Sequence, residues 1–344
     1  MWFLLFFLSS CLGCSDFQLR TKDNAIICGR AMDFIMPMKS QILVFNRGMN
    51  MSSKAPDGTV GLQWVSKYGF VGINAFGINL ADEGMNTEGL TCGVLMMESS
   101  YPTVSPNDYN ISLAVMDVCT WILGSFSNVA EVKTGINSVR IWGNVMPPPI
   151  NIIMGLHTPI HDSLGNNLVI EFVNGRIHLH DHPLGILTND PPLQYHLNNL
   201  ILYNGLSSNS PLEATINGYK VMGKGGSGMQ GIPGSWSSID RFIRISTMVR
   251  YLNNLNTAMD GVLAATHILN SVYVPSGVGV ASFKGYHFDD VTRWATMKDL
   301  TNLIFYYRIS DGAIRAIDLN KIDFDKQHKP YPVQQQLAII NIVL

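Results

Sequence analysis

The succession of strand and helix signals predicts an α+β chain: a four-layer αββα sandwich, two antiparallel sheets between helical layers, in one domain. Strand signals come in blocks with hairpin links. Helix signals come in pairs between those blocks. Pro and Gly are scattered through the 344 residues, so no long linker, low-complexity tail or internal repeat divides them.

The first block opens at Cys14. Phe17 and Leu19 alternate with polar residues, Lys22-Asp23-Asn24 is a polar turn, and Ala25-Ile26-Ile27-Cys28 returns, which is the pattern of a β-hairpin. Residues 41–46, 61–65 and 70–74 read as further strands. The Gly-interrupted apolar run at 89–97 fits a strand buried on both faces. Residues 111–123 carry apolar positions at helical spacing behind the start signal Pro106-Asn107-Asp108, and a second helix follows near 127–139. Strands are expected at 151–156, 168–173 and 176–180, the last two joined by Asn174-Gly175, a strong hairpin signal. Helices return at 238–252 and 258–272, and two strands joined by Ser310-Asp311-Gly312 are expected within 302–318.

Composition narrows the function. The chain is 47% hydrophobic and 14% charged with a net charge of −2 and no basic run, so nothing suggests nucleic acid as a partner. Residues 1–13 (MWFLLFFLSSCLG) stand apart, with an apolar block at 2–8 followed by small residues. That block is too short to span a bilayer, which takes about 20 residues. It reads as a secretory signal cut after Gly13, with Cys11 and Gly13 at the small positions before the cut. The mature chain, 14–344, is then a single domain outside the cytoplasm, secreted or periplasmic, with no stable membrane span.

The five cysteines, Cys11, Cys14, Cys28, Cys92 and Cys119, match no zinc motif and are too sparse for a disulfide scaffold. Cys28, Cys92 and Cys119 read as buried small hydrophobes. His178-Leu179-His180-Asp181-His182 sets alternate histidines on one strand face. No Cys or Glu stands at partnering distance in sequence, so a solvated hairpin edge is the better reading than a metal site. Neither a metal nor another cofactor is expected. Asn50-Met51-Ser52 and Asn110-Ile111-Ser112 are glycosylation acceptors only in a eukaryotic source.

A cut before Cys14 creates chemistry that no internal cysteine has. The free α-amine titrates near ~8 and the thiol near ~8.5, so the amine can serve as base for the thiol or supply an ammonium beside the thiolate. The hairpin then returns Arg30 and Asp33, within Cys28-Gly29-Arg30-Ala31-Met32-Asp33-Phe34, to the same end. A carboxylate there can hold the ammonium, and an arginine can hold that carboxylate and lower the thiol's pKa. An ordinary surface ion pair is the bland alternative.

These residues resemble the choloylglycine hydrolase and penicillin V acylase family of N-terminal nucleophile hydrolases, in which a mature N-terminal Cys is followed by R-x-M-D-[FW]. The resemblance extends through Trp64-Val65-Ser66-Lys67-Tyr68-Gly69, Gly84-Met85-Asn86-Thr87-Glu88-Gly89-Leu90, Leu187-Thr188-Asn189-Asp190-Pro191, Gly231-Ile232-Pro233-Gly234 with Asp240-Arg241-Phe242, and Thr292-Arg293-Trp294. It implies the N-terminal nucleophile hydrolase fold and a small-molecule N-acyl amide substrate. It also implies roles. Cys14 attacks the amide carbonyl. The Asn189 side chain and the Met96 backbone N–H stabilise the oxyanion. Asp33 holds the amine, and Arg30 and Arg241 set the charge. Met96 stands where many members carry Tyr, Trp or Asn, Asp190 replaces a usual Ser, and Ser235-Trp236 follows Pro233-Gly234 where an acid is common. These departures bear on substrate choice, among penicillin V, bile salts and N-acyl lipids or lactones, or on assembly. A homotetramer is compatible with all of this, and no residue fixes the subunit count.

A competing reading is a secreted or lipid-anchored binding protein, with Leu8-Ser9-Ser10-Cys11 as lipidation box and an inert pocket. The intact set Cys14, Arg30, Asp33, Asn189 and Arg241 argues against it.

Overall fold

Two antiparallel sheets lie face to face in the computed structural model, which describes residues 13–283, 286–309 and 313–333. Residues 1–12, on which most of the signal reading rests, and the expected turn Ser310-Asp311-Gly312 fall outside them. The first sheet runs Ile186–Leu187, Ser15–Arg20, Ile26–Phe34, Val291–Asp299, Ile304–Ile309, Arg315–Asp318. The second runs Arg176–Asp181, Asn167–Val173, Leu156–His161, Thr91–Gly93, Glu83–Asn86, Phe70–Ile73, Gln41–Phe45, Tyr331–Pro332, with the short Leu95–Met96 also paired to Leu156–His161.

Helices close the outer faces. Ser238–Tyr251 packs on Ser15–Arg20 and Ile186–Leu187, and Ala258–Val272 packs on Ile26–Phe34 and Val291–Asp299. Val118–Ser125 and Val129–Gly135 cover the second sheet. This is the four-layer αββα sandwich. Residue parity explains the layering. On Ile26–Phe34, Ile27 faces the helix, where a Cβ on Gly261 would lie 2.7 Å from Ile27 Cγ1, so glycine sets how closely that helix docks. Arg30, on the opposite parity, reaches across to Glu83 of the second sheet. With both faces covered, all nine residues of Ile26–Phe34 are buried.

The Asn174-Gly175 hairpin forms as expected, with φ of 52° and 70° at the two turn residues. The strand expected at 61–65 forms as Val60–Val65, and two other expectations need correction. The strand expected at 151–156 lies at Leu156–His161. The helix expected over 111–123 begins only at Val118, because Ser112–Ala114 pairs in parallel with Arg140–Trp142. Val60–Val65 pairs with Asn50–Lys54 in a ribbon of its own. Leu193–Asn199 is a further helix. Among the described residues no helix is long and apolar enough to cross a membrane.

Candidate active site

The first hairpin assembles most of the site. Ser15 pairs with Ala31 and Asp16 with Arg30, so Cys14 falls beside Met32 at the strand end. Cys14 Sγ lies 3.4 Å from Met32 Sδ and 3.9 Å from Arg30 Nη2. The neighbouring ladder skips Arg293, a β-bulge between Met32 and Asp33. Bulges of this kind re-aim side chains near active sites. Here it places Thr292 Oγ1 2.5 Å from Asp33 Oδ1. Asp33 Oδ2 is buried and accepts no hydrogen bond.

Arg30 does not hold Asp33. Its Nη1 pairs with Glu83 Oε2 at 3.1 Å and its Nη2 with Asp82 Oδ2 at 3.4 Å. It also donates to the carbonyls of Asp82 and Val94 and lies over the Trp294 ring, 5.4 Å from its centre. Glu83 is paired in turn with Lys298 and accepts from Thr296 Oγ1 at 2.6 Å. A buried chain of alternating charge, Lys298–Glu83–Arg30, therefore ends beneath the sulfur. Burial alone would lower the Arg30 pKa, and Glu83, Cys14 and Asp82 together hold it above its ordinary value. Gly93 makes room for this side chain: a Cβ there would come within 2.7 Å of Arg30 Nη1.

Arg241 enters from the first turn of Ser238–Tyr251 and is fully buried. It donates to the Cys14 carbonyl, to Ser15 Oγ at 2.8 Å and to Asn189 Oδ1 at 2.8 Å. That last bond fixes the orientation of the carboxamide and turns its NH2 the other way, to the Met96 carbonyl at 2.7 Å. Leu156, opposite Met96, has its N–H bonded to Tyr101 Oη and its carbonyl to Ser99 Oγ. The Met96 carbonyl therefore turns away from Leu156, towards Asn189. The structure thus brings Cys14, Arg30, Asp33, Asn189, Arg241 and Met96 together. Asp82, Glu83, Lys298 and Gly93 were not foreseen. The adjacent acids Asp82-Glu83, set in an apolar run directly before the Gly84–Asn86 segment, were the available signal.

Gly13 precedes Cys14 at the edge of the site. Its φ is +72°, its N–H donates to Asp290 Oδ2 at 3.3 Å, and a Cβ on it would strike the Asn189 carboxamide at 2.4–2.6 Å. With Gly13 in place, burial pushes the Cys14 thiol up to about 11, Arg30 opposing, and pushes the Asp33 carboxyl up to about 7, Arg241 and Thr292 opposing. Among the described residues no imidazole hydrogen-bonds Cys14. His182 Nε2 meets the Ile186 carbonyl at 2.6 Å, and His196 Nε2 meets the Asn189 carbonyl at 2.9 Å. Burial lowers both histidines to about 4. His180 is tied to Glu171 at 3.2 Å. Cys28, Cys92 and Cys119 are buried and free.

The sulfur faces a pocket lined by Met32, Phe34, Met38, Phe76, Met96, Met116 and further apolar side chains, with Asp82 its one charged wall residue. Residues 14–330 match the model of the linear amide C–N hydrolases, choloylglycine hydrolase family. The chain belongs to that family. It is 27% identical over 340 residues to the bile salt hydrolase/transferase of Clostridium perfringens, covering 96% of this chain and 99% of that one. It is 27% identical over 320 residues to the penicillin V acylase of Pectobacterium atrosepticum, covering 87% and 78%. A crystal structure of a mutant conjugated bile acid hydrolase from Clostridium perfringens superposes with a TM-score of 0.83 at 26% identity, over 96% of this chain and all of that one. As a choloylglycine hydrolase family member, the protein is an amidohydrolase acting on linear C–N bonds, and its fold is the N-terminal nucleophile hydrolase sandwich.

Proposed function

We propose that the mature enzyme begins at Cys14 and hydrolyses amides of apolar acyl groups, aromatic or fatty, through an acyl-thioester. The observation that carries this is the position of the Cys14 sulfur on the wall of a pocket that is apolar except for Asp82. Six of the lining residues are methionines: Met32, Met38, Met96, Met116, Met146 and Met154. Unbranched, polarisable side chains adapt to varied apolar shapes. The names of the relatives, bile salt hydrolases and a penicillin V acylase, bracket the acyl groups to be tried.

Each step has a residue beside it. The freed α-amine of Cys14 takes the thiol proton, and sulfur attacks the carbonyl carbon. The oxyanion receives hydrogen bonds from the Asn189 NH2 and the Met96 N–H. Asp33 Oδ2, buried and unbonded in the uncut chain, holds the resulting ammonium. That ammonium protonates the leaving nitrogen as the C–N bond breaks, and water then releases the acid from the thioester by the reverse proton path. Arg30 favours the thiolate from below.

Removal of residues 1–13 fits the same reading. With Gly13 attached, the Cys14 nitrogen is an amide and cannot accept a proton, the thiol stays protonated, and Gly13 crowds Asn189. Export through that segment would place the enzyme outside the cytoplasm. N-terminal sequencing should read Cys14-Ser15-Asp16, and active protein starting elsewhere would sink the mechanism. Exposed Ile201, Leu202, Leu212, Ile216, Tyr219 and Met222 offer apolar surface for self-association, and the homotetramer proposed is checked by the mass in solution.

Hydrolysis of a series of N-acyl amides of one amine, by protein starting at Cys14, tests the substrate class. Decanoyl and phenoxyacetyl amides should be cleaved at least about 100-fold faster than the acetyl amide, the scale set by a few buried methylenes. Preference for short or charged acyl groups would refute it.

A further inference from the structure

The catalytic scheme leaves His157 and Glu171 unused, yet they close on the segment that carries Asn189. His157 sits on Leu156–His161 and Glu171 on the adjacent Asn167–Val173. His157 Nε2 meets the Thr188 carbonyl at 2.8 Å, and its Nδ1 faces Glu171 Oε1 at 3.4 Å. The same Glu171 oxygen accepts the Leu193 N–H at 2.8 Å. Its other oxygen meets His180 Nε2 at 3.2 Å. One carboxylate thus secures both ends of the 188–193 segment, through an imidazole at one end and directly at the other, with Asn189 between them.

The donor and acceptor inventory is strict here. A carbonyl and a carboxylate oxygen can only accept, so in each of these contacts the imidazole is the donor. Burial would raise the Glu171 carboxyl, and the hydrogen bonds from His157 and His180 hold it well below its ordinary value. The side chains of His157 and Glu171 are 0% and 1% exposed. Stability alone gives no reason for such a pair, since apolar residues of the same volume usually serve a core as well or better. The geometry gives one: the segment being held is the one that aims Asn189.

We propose that Glu171 and His157 are positioning residues for amide hydrolysis, holding the 188–193 segment so that the Asn189 carboxamide points at the oxyanion. This rests on Asn189 being an oxyanion donor. Both residues act through Asn189 and touch no reacting atom. Arg241 and Met96 orient the carboxamide itself, but release of the tie lets the segment beneath it shift, and about 1 Å of misplacement costs on the order of 100-fold in rate.

The test uses mature enzyme starting at Cys14, with kcat and KM for a good amide substrate and the rate of Cys14 alkylation by iodoacetamide. Glu171→Leu should lower kcat about 100-fold with KM little changed. Alkylation should stay at the wild-type rate, because it develops no oxyanion. Glu171→Gln, whose carbonyl oxygen can still accept the Leu193 N–H, should restore most of the turnover. Asn189→Ala should lose about 10²–10³, and adding Glu171→Leu to it should cost nothing more, the signature of residues acting as a unit. His157→Phe keeps a ring and loses both donors; it carries the same expectations and covers failure of Glu171→Leu to fold. Full turnover in Glu171→Leu beside an impaired Asn189→Ala, or additive losses in the double variant, would overturn the tie alone. A fully active Asn189→Ala would overturn the oxyanion reading, and the role of the tie with it.

Discussion

Asp33→Asn in the uncut chain isolates one buried charge. In that form Asp33 is 1% exposed, its Oδ1 meets Thr292, and its Oδ2 accepts nothing. Burial moves its carboxyl from 3.8 to about 7. The folded state therefore keeps a proton that the unfolded chain has lost, and stability falls as pH rises from about 4 to about 7. At about 1.4 kcal/mol per pH unit, the span corresponds to about 4 kcal/mol. Asparagine keeps the shape and removes the charge. Uncut wild type and uncut Asp33→Asn should be equally stable near pH 4, and the variant should be more stable by about 4 kcal/mol above pH 7. Urea unfolding at intervals from pH 4 to 8 measures this, and subtracting the two curves removes every other titrating group. If the protein is processed at Cys14 as proposed, the α-ammonium takes up the charge, and the stability advantage of asparagine and the activity should both be lost in that form. Parallel pH curves for the two uncut proteins would show that burial does not raise the Asp33 carboxyl as described above.

The other predictions concern the same few ångströms. Retaining one extra Gly before Cys14 keeps the sulfur and abolishes the amine, so turnover should fall by roughly 10²–10⁴; equal turnover would refute the N-terminal nucleophile and point to a Cys–His pair. Gly93→Ala places a methyl 2.7 Å from Arg30 Nη1. It should cost about 1–3 kcal/mol of stability and lower kcat as Arg30 moves, read by thermal melts and initial rates. Burial raises the thiols of Cys28 and Cys119 well above their ordinary range. Mass mapping after brief iodoacetamide treatment of mature enzyme should therefore find Cys14 carrying the label and those two unmodified.

Short-range signals were legible where local geometry decides the outcome. Asn174-Gly175 forms its turn because both residues tolerate positive φ, and the Cys14 hairpin brings back Arg30 and Asp33 because its register is fixed by a tight turn. Where partners come from elsewhere, the sequence misled. Leu156–His161 contains two histidines and a proline, which are weak strand formers read alone; His157 and His161 are buried because Glu171 and Asp16 receive them from other strands. The periodicity at 111–123 was real, but pairing of Ser112–Ala114 with Arg140–Trp142 outweighed it. Arg30 was correctly placed near Cys14 and wrongly partnered, since the sequence shows which charges exist and not which sheet faces which.

The chain from Lys298 through Glu83 to Arg30 lies wholly between the sheets, with the three side chains 0–1% exposed. Dissolved ions screen exposed charges over about 8–10 Å at ordinary ionic strength, but they cannot enter this layer. The cation beneath Cys14 is therefore screened far less than a surface charge, and its influence on the sulfur should change little between dilute buffer and brine.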